Sequence, residues 1–165
     1  MTASTIRPAT DADADAIARI YNHYVEHTTI TFEEVAVAPS EIARRIRDVQ
    51  SASLPWLVAE RDGAVVGYAY AGKWHGRSAY RFSAEVTVYV DVAYPRTGIG
   101  TRLYAEMLPM LQACGMHALM AGIALPNDPS VAIHERFGFV KAAHFREVGF
   151  KFGRWVDVGY WQRML

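Results

Sequence analysis

Two closely spaced glycines, Gly98 and Gly100, stand between a β-branched stretch at residues 86–90 and a helix-favouring stretch. A Gly-x-Gly turn between a strand and a helix leaves backbone N–H groups free at the positive end of the helix dipole, and such a nest binds phosphate. Leu103 replaces the third glycine of a dinucleotide-binding fingerprint, and no Gly-Lys-Ser/Thr follows. The turn therefore predicts a phosphate-bearing ligand, with a plain tight connection as the alternative.

A second group of residues with catalytic potential is His23, Glu26 and His27, whose spacing matches the inverted zinc-peptidase motif His-x-x-Glu-His. At about 100° per residue, these three side chains point away from the apolar stripe of their helix and toward solvent. A catalytic zinc also needs a third protein ligand and a pocket. A zinc hydrolase is therefore kept only as an alternative, and no metal is expected.

Several further stretches share the pattern of one enzyme superfamily. An Arg/Gln-x-x-Gly-x-Gly turn after a strand, followed by an Asn-x-x-Ser pair and then Gly-Phe, resembles the GNAT superfamily of N-acetyltransferases. Closer motifs are TTITF at 28–32, Glu85 ahead of TVYV, LPNDPS at 125–130, and KFGRW at 151–155 with Asp157. Over essentially the whole chain, these motifs are similar to the phosphinothricin and methionine sulfoximine N-acetyltransferases.

The resemblance implies an α/β (α+β) chain with the GNAT fold, in which a mixed central sheet of about six to seven strands is flanked by helices. It implies a single domain over residues 1–165 that uses acetyl-CoA as cosubstrate. The expected acceptor is the α-amine of a small amino acid analogue, which attacks directly with general-base assistance. A GNAT enzyme for an unrelated amine or peptide and a coenzyme-binding sensor without catalysis remain alternatives. A homodimer whose segment 148–155 helps complete the substrate site is also implied.

The resemblance also assigns contacts to the coenzyme. The strand backbone at Val88, Tyr89 and Val90 is expected to pair with the pantetheine arm, and a fixed N–H there polarises the thioester carbonyl. The residues expected around the pyrophosphate are Arg96, Thr97, Gly98, Ile99, Gly100 and Thr101. Asn127 and Ser130 are expected near the thioester, with helix capping as the alternative for Asn127. Pro95 departs from the motif, because Gln or Arg is usual there and proline has no N–H.

For the reaction itself, the resemblance makes Glu85 the general base, with a surface carboxylate or salt-bridge partner as the alternative. His134 holds the position where many superfamily members place a tyrosine that protonates the thiolate, and a packed helix histidine is the alternative. Arg81 is expected to hold the carboxylate of the acceptor through its planar guanidinium. The expected walls of the substrate pocket are Phe32, Trp74, Thr87 and Tyr89, beside Glu85.

Hydrophobic periodicity predicts the elements that must position these residues. The sequence alternates strands and helices, with a first helix that begins near Thr10 and Asp13 and buries Ile17, Ile20, Tyr21, Tyr24 and Val25. A second helix opens at Pro39 and buries Ile42, Ile46 and Val49. The other predictions are a strand near Ile6, a hairpin of 56–60 and 64–73, a strand at 81–92, a helix at 100–113, a strand at 116–124, a short helix in the 130s, and strands at 142–150 and 156–164.

Composition narrows the class of protein. Seventeen basic residues balance 17 acidic ones, so nothing favours nucleic acid or an anionic membrane as partner. One cysteine, Cys114, cannot form an internal disulfide, and the N-terminal residues lack a signal peptide pattern, so a cytoplasmic location is expected. The stretch 107–126 carries no formal charge, but Pro109 and Gly115 interrupt it, which predicts a helix end and a buried strand instead of a membrane span.

Overall fold

The structure, a computed structural model, describes residues 4–165 of the chain. Its elements are β1 (Thr5–Pro8), α1 (Ala14–His27), α2 (Pro39–Ser51), β2 (Trp56–Arg61), β3 (Ala64–Lys73), β4 (Ser83–Val90), α3 (Ile99–Ala113), β5 (Ala118–Leu125), α4 (Asp128–Arg136), β6 (Val140–Lys151) and β7 (Arg154–Met164). Every predicted element is present, with boundaries that differ by a few residues at most. The first helix begins at Ala14, because Asp13 is its N-cap and residues 11–13 form a short 3₁₀ turn.

The strands form one mixed seven-stranded sheet in the order β1-β2-β3-β4-β5-β7-β6. All neighbours are antiparallel except β4 and β5, which run parallel. This arrangement confirms the predicted mixed sheet flanked by helices. The parallel step requires a crossover between β4 and β5, and α3 provides it.

Helices cover both faces of the sheet. On one face, Leu103, Met107 and Leu111 of α3 are fully buried against sheet residues such as Ala69 and Leu119. On the other face, α1 and α2 bury Ile17, Val25, Ile42 and Ile46 against Val58 and Tyr68. Successive residues of a strand face opposite sides, so β4 sends Val86, Val88 and Val90 toward α3, and Glu85, Thr87 and Tyr89 toward α1 and α2. Within residues 4–165, none of the helices has the length and apolar character that a membrane span requires.

The sheet splits between its two parallel strands. Residues Ser83–Glu85 pair with Ala118–Met120, and the two strands separate beyond that point. β3 stays paired with β4 from Lys73 opposite Ala84 to Gly67 opposite Val90, whereas β5 continues alongside β7 as far as Leu125. Asp91 donates its amide to the carbonyl of Val66 at 2.9 Å, and alternation of the antiparallel ladder then directs the backbone groups of Val88 and Val90 away from β3. The second half of β4 therefore presents to the split a backbone edge that is not paired with another strand.

Candidate active site

The split opens into a cavity of about 1170 Å³. Its walls come from β4, the turn at 95–98, the first turns of α3 and α4, β5, and the loop that follows α1. The cavity brings together all the residues predicted for the coenzyme and the reaction, namely Glu85, Val88, Tyr89, Val90, Arg96, Thr97, Gly98, Ile99, Gly100, Thr101, Asn127, Ser130 and His134. Of the six residues predicted for the acceptor, four line it, namely Phe32, Thr87, Glu85 and Tyr89.

The glycine turn forms an open N-terminus for α3. Gly98 has a φ of +76° and is the N-cap, and Arg96 two residues earlier also has a positive φ of 56°. The first backbone bond of this turn runs from the amide of Arg102 to the carbonyl of Gly98 at 3.0 Å, so the amides before Arg102 have no partner inside the helix. No acidic residue stands in the first turn. These N–H groups and the helix dipole together suit a phosphate group.

Gly100 is needed for a different reason, which is close packing. Its φ is ordinary, but a Cβ atom at this position would lie 3.2 Å from Cδ1 of Ile133 on α4. The same atom would lie 3.6 Å from a methyl of Val88 and 3.7 Å from one of Val90. The absence of a side chain thus keeps the first turn of α3 close to β4 and α4. Pro95 also lines the cavity here.

Glu85 lies at the last paired position before the split. Burial raises the pKa of its carboxyl, although the backbone of Gly122 and the nearby His75 act in the opposite direction. A Cβ atom on Gly122 would lie 3.1 Å from Oε1 of Glu85 and 3.0 Å from the ring of Tyr160, so a larger residue there would have to displace both side chains by a few tenths of an ångström. A partly desolvated carboxylate that faces a cavity is suited to accept a proton.

His134 is held from both sides. Its Nδ1 lies 2.7 Å from the carbonyl oxygen of Ser130, and its Nε2 lies 2.9 Å from the hydroxyl of Tyr104. A carbonyl only accepts, so Nδ1 carries the proton and the Tyr104 hydroxyl donates to Nε2. The side chain is 4% exposed, and burial lowers its pKa, which favours the neutral ring. No N–H of His134 remains for a thiolate, so the geometry matches the packed histidine and not the proposed acid.

Asn127 has the capping role that was its alternative, and it also faces the cavity. Its Oδ1 accepts from the amide of Ser130 at 3.3 Å, which makes it the N-cap of α4. Both residues line the cavity. Capping fixes the amide side chain of Asn127 at the rim, where its NH₂ group stays available to a ligand.

Arg81 and Trp74 do not line the cavity, in contrast to the expectation for both. Arg81 precedes β4 at the end remote from the split, where its guanidinium lies over the ring of Phe82 and donates to the carbonyl of Ser78. Trp74 packs edge-on against Tyr160 with ring centroids 5.4 Å apart, so it supports the wall from behind. Among the described lining residues, Arg96 is the only arginine or lysine. Within residues 4–165, no arginine or lysine therefore lines the cavity beside Glu85 to bind an acceptor carboxylate.

Other aromatic residues line the cavity without having been predicted there. They are Tyr21, Tyr24, Tyr70, Tyr94, Phe145 and Tyr160. The apolar stripe of α1 places Tyr21 and Tyr24 in the core. A buried tyrosine hydroxyl needs a hydrogen-bond partner, however, and this requirement could have indicated that the two residues lie at the edge of a polar cavity. Tyr24 donates to the carbonyl of Val90 at 2.5 Å, and the Tyr21 hydroxyl lies 2.7 Å from Oγ1 of Thr31.

The zinc alternative gains no geometric support. His23 and His27 lie on α1 with ring centroids 5.0 Å apart, and Nε2 of His27 is 4.0 Å from a carboxylate oxygen of Glu26. Both His27 and Glu26 are largely exposed to solvent. Throughout residues 4–165, no cluster of three or more His, Cys, Asp or Glu side chains is arranged to hold a metal ion.

Known proteins share this sequence and architecture. A family model described as an acetyltransferase (GNAT) domain matches residues 6–159. Phosphinothricin N-acetyltransferase of Streptomyces viridochromogenes is 45% identical over 96% of this chain and 86% of its own length. The L-methionine sulfoximine/L-methionine sulfone acetyltransferase of Salmonella typhimurium is 37% identical over 98% of this chain and 94% of its own.

A solved structure agrees with these relatives. The GNAT superfamily phosphinothricin acetyltransferase from Sinorhizobium meliloti, in complex with AcCoA, superposes with a TM-score of 0.95 at 34% identity. The match covers 99% of this chain and 89% of that one. The predicted resemblance, fold and enzyme class are thereby confirmed, and this chain belongs to the GNAT family of acetyltransferases.

Proposed function

We propose that this protein is an acetyl-CoA-dependent N-acetyltransferase for the α-amine of small amino acid analogues of the phosphinothricin or methionine sulfoximine type. The observation that carries the proposal is the position of Glu85, a carboxylate of raised pKa at the start of the sheet split. It stands in one cavity with the unpaired edge of β4 and the open N-terminus of α3. The names of the relatives supply the donor and the class of acceptor.

In the proposed reaction, backbone groups of the cavity bind the coenzyme and stabilise the oxyanion, and a side chain removes the proton from the acceptor. The amides at the start of α3 bind the pyrophosphate. The backbone of Val88 and the N–H of Val90 pair with the pantetheine arm, since the carbonyl of Val90 already accepts from Tyr24. Glu85 takes a proton from the acceptor ammonium, and the neutral amine attacks the thioester carbonyl. A preorganised N–H on β4 stabilises the oxyanion that forms with the new C–N bond. The C–S bond then breaks, the nitrogen loses its second proton to water, and the leaving thiolate takes up a proton from water, which gives the amide and free coenzyme A.

The reaction is tested by release of free coenzyme A. We expect the purified protein to release thiol from acetyl-CoA when methionine sulfoximine or phosphinothricin is added, and to form the N-acetyl product seen by mass spectrometry. An amine panel with aminoglycosides and peptides is the control. Turnover of those amines alone would overturn the proposed acceptor, and acetyl-CoA binding without turnover of any amine would favour a sensor.

A second acceptor class is favoured by one observation. Apart from Arg96 at the coenzyme turn, no arginine or lysine among the described residues lines the cavity. An amine without a carboxylate would need no such cation. The panel should therefore include the decarboxylated counterpart of each amino acid tested, and a preference for those amines would support this class.

A homodimer is part of the proposal, because a partner subunit is the natural source of the missing cation. β6 is an edge strand, and its hairpin with β7 exposes Phe150, Phe152 and Trp155 at 54%, 59% and 62%. The rings of Phe150 and Trp155 pack on each other at 4.8 Å. Exposed aromatics beside an exposed arginine, here Arg154, are typical of interface centres. The exposed free thiol of Cys114 suits the reducing cytoplasm, where we place the enzyme.

Trp155→Ala should weaken the dimer and raise the KM for the acceptor together, because one surface would serve both. Light scattering and steady-state kinetics at the same protein concentration measure the two effects. Phe82→Ala removes an exposed aromatic elsewhere on the surface and is the matched control. A fully active monomer at assay concentration would contradict the dimer.

A further inference from the structure

The side chain of Lys151 is 1% exposed, at the end of β6. In the described part of the chain, no carboxylate lies within salt-bridge distance of its ammonium, which instead sits 5.1 Å from the centre of the Phe152 ring. Burial lowers the pKa of this ammonium, against the opposite influence of Glu34 and Glu33. A buried ammonium without a carboxylate is costly unless hydrogen bonds compensate for lost hydration, so its partners indicate its role.

Both strong partners of Lys151 are backbone carbonyls. Nζ donates to the carbonyl of Val25 at 2.7 Å and to that of Thr31 at 2.9 Å. Val25 lies in the last turn of α1, where carbonyls lack intrahelical partners and a positive charge is favoured by the helix dipole. Thr31 lies in the loop between α1 and α2. One ammonium therefore ties the end of α1 and the following loop to the β6–β7 hairpin.

That loop forms part of the cavity wall. Ile30, Thr31 and Phe32 all line the cavity, and Oγ1 of Thr31 is hydrogen-bonded to Tyr21. Tyr21 in turn packs edge-on against Tyr89 of β4 at 5.2 Å. These contacts place the loop on the face of the sheet that carries Glu85, Thr87 and Tyr89, which we call the acceptor side.

Gly149 determines where the side chain of Phe32, in the same loop, packs on β6. A Cβ atom at this position would lie 2.3 Å from Cζ of Phe32 and 2.4 Å from Cε2, so the phenyl ring rests directly on the strand backbone. Gly149 and Lys151 are two residues apart on β6 and share a face of the strand. The glycine admits the ring of Phe32, and the lysine holds the backbone beside it.

We propose that Lys151 and Gly149 are positioning residues for the acceptor, which fix the loop at 28–33 so that Phe32 forms one wall of the acceptor side. The part of this inference that concerns substrate rests on the proposed N-acetyltransferase activity. The height of Phe32 above β6 then sets the width available to the side chain of the acceptor. Neither residue touches the reacting atoms, so both act through the loop.

Lys151→Met, which keeps the length of the side chain and removes the charge, is the first test. The KM for the acceptor should rise by on the order of tenfold or more, because small displacements of a positioning group have large kinetic effects. The KM for acetyl-CoA should stay within about twofold, since the turn at 96–101 is untouched. Amide hydrogen exchange of residues 28–33 should become faster, while that of α3 should not. Lys73→Met, an exposed lysine outside the cavity, is the matched control.

Gly149→Ala is the second test and applies even if the lysine variant fails to fold. It should displace Phe32 and raise the acceptor KM. In the Phe32→Ala background, the same change should have little further effect, because the ring that it displaces is gone.

The outcomes separate this inference from the proposed function. Faster exchange at 28–33 in Lys151→Met with no turnover of any amine by the parent protein would support the loop tie and defeat the proposed activity. An unchanged acceptor KM and unchanged exchange in both variants would overturn the inference. A parallel loss of affinity for both substrates with faster exchange throughout the chain would do the same, because it would indicate a general structural role.

Discussion

Glu85→Gln is expected to lower kcat by a factor on the order of 10² to 10⁴, the usual contribution of a positioned general base. Glutamine keeps the shape of the side chain and an oxygen that can accept from the backbone near Gly122, so the wall of the cavity should stay intact. It cannot take a proton from the acceptor ammonium. The dissociation constant for acetyl-CoA, measured by calorimetry, should therefore change little while turnover collapses.

The raised pKa of Glu85 also predicts the direction in which turnover changes with pH. The base works only when ionised, and burial raises the pKa of Glu85 above its ordinary value of 4.5. Turnover of the parent enzyme should thus be highest above that raised pKa and fall as the pH drops through it, and this acidic limb should vanish in Glu85→Gln. Glu26→Gln, which alters an exposed carboxylate of the zinc-like motif, is the matched control. Equal activity of Glu85→Gln and the parent enzyme across the pH range would remove Glu85 from the mechanism.

Gly100→Val should abolish measurable coenzyme binding without unfolding the protein. A Cβ atom alone would come within 3.2 Å of Ile133, and the two methyl groups of valine would fill the space between α3, β4 and α4. They would also cover the amides that we assign to the pyrophosphate. The fold should survive, because the backbone φ of Gly100 is ordinary, the nearest atom is a side-chain tip, and valine costs a helix less than glycine does.

Calorimetry with acetyl-CoA and thermal unfolding measure the two halves of this prediction. Gly76→Val is the matched control, since a side chain there meets nothing within 4 Å and the position lies outside the cavity. Gly100→Ala should give an intermediate loss of affinity. Retention of parent-like affinity by Gly100→Val would show that the coenzyme does not lie against this turn.

Local sequence signals predicted most of the architecture. Alternation and helical periodicity located each strand and helix, because one face of each element is buried against the core. The turn at 96–101 could also be predicted from the sequence, since a strand, two glycines and a helix are contiguous in the chain. The same holds for Asn127, whose capping of α4 depends only on residues three positions away.

The remaining features depend on contacts between distant parts of the chain. The tie from Lys151 to Val25 and Thr31 spans more than a hundred residues, and no local pattern distinguishes this lysine from an exposed one. The occupation of Nε2 of His134 depends on the hydroxyl of Tyr104, which lies in another helix. The position of Arg81 outside the cavity lining could not be predicted, because pairing of β4 with β5 decides where the split begins.

The split sheet also affects how enzymes with this fold change their acceptor specificity. The side of the cavity that we assign to the donor offers mainly main-chain groups, from the edge of β4 and the start of α3, and a substitution rarely alters these. The opposite side offers side chains, among them Phe32, Thr87 and Tyr160. The acceptor specificity can therefore change through single substitutions during evolution, while acetyl-CoA remains the donor. Substrate drift should accumulate in the loop after α1 and in the β6–β7 hairpin, and the turn at 96–101 should stay the most intolerant of replacement.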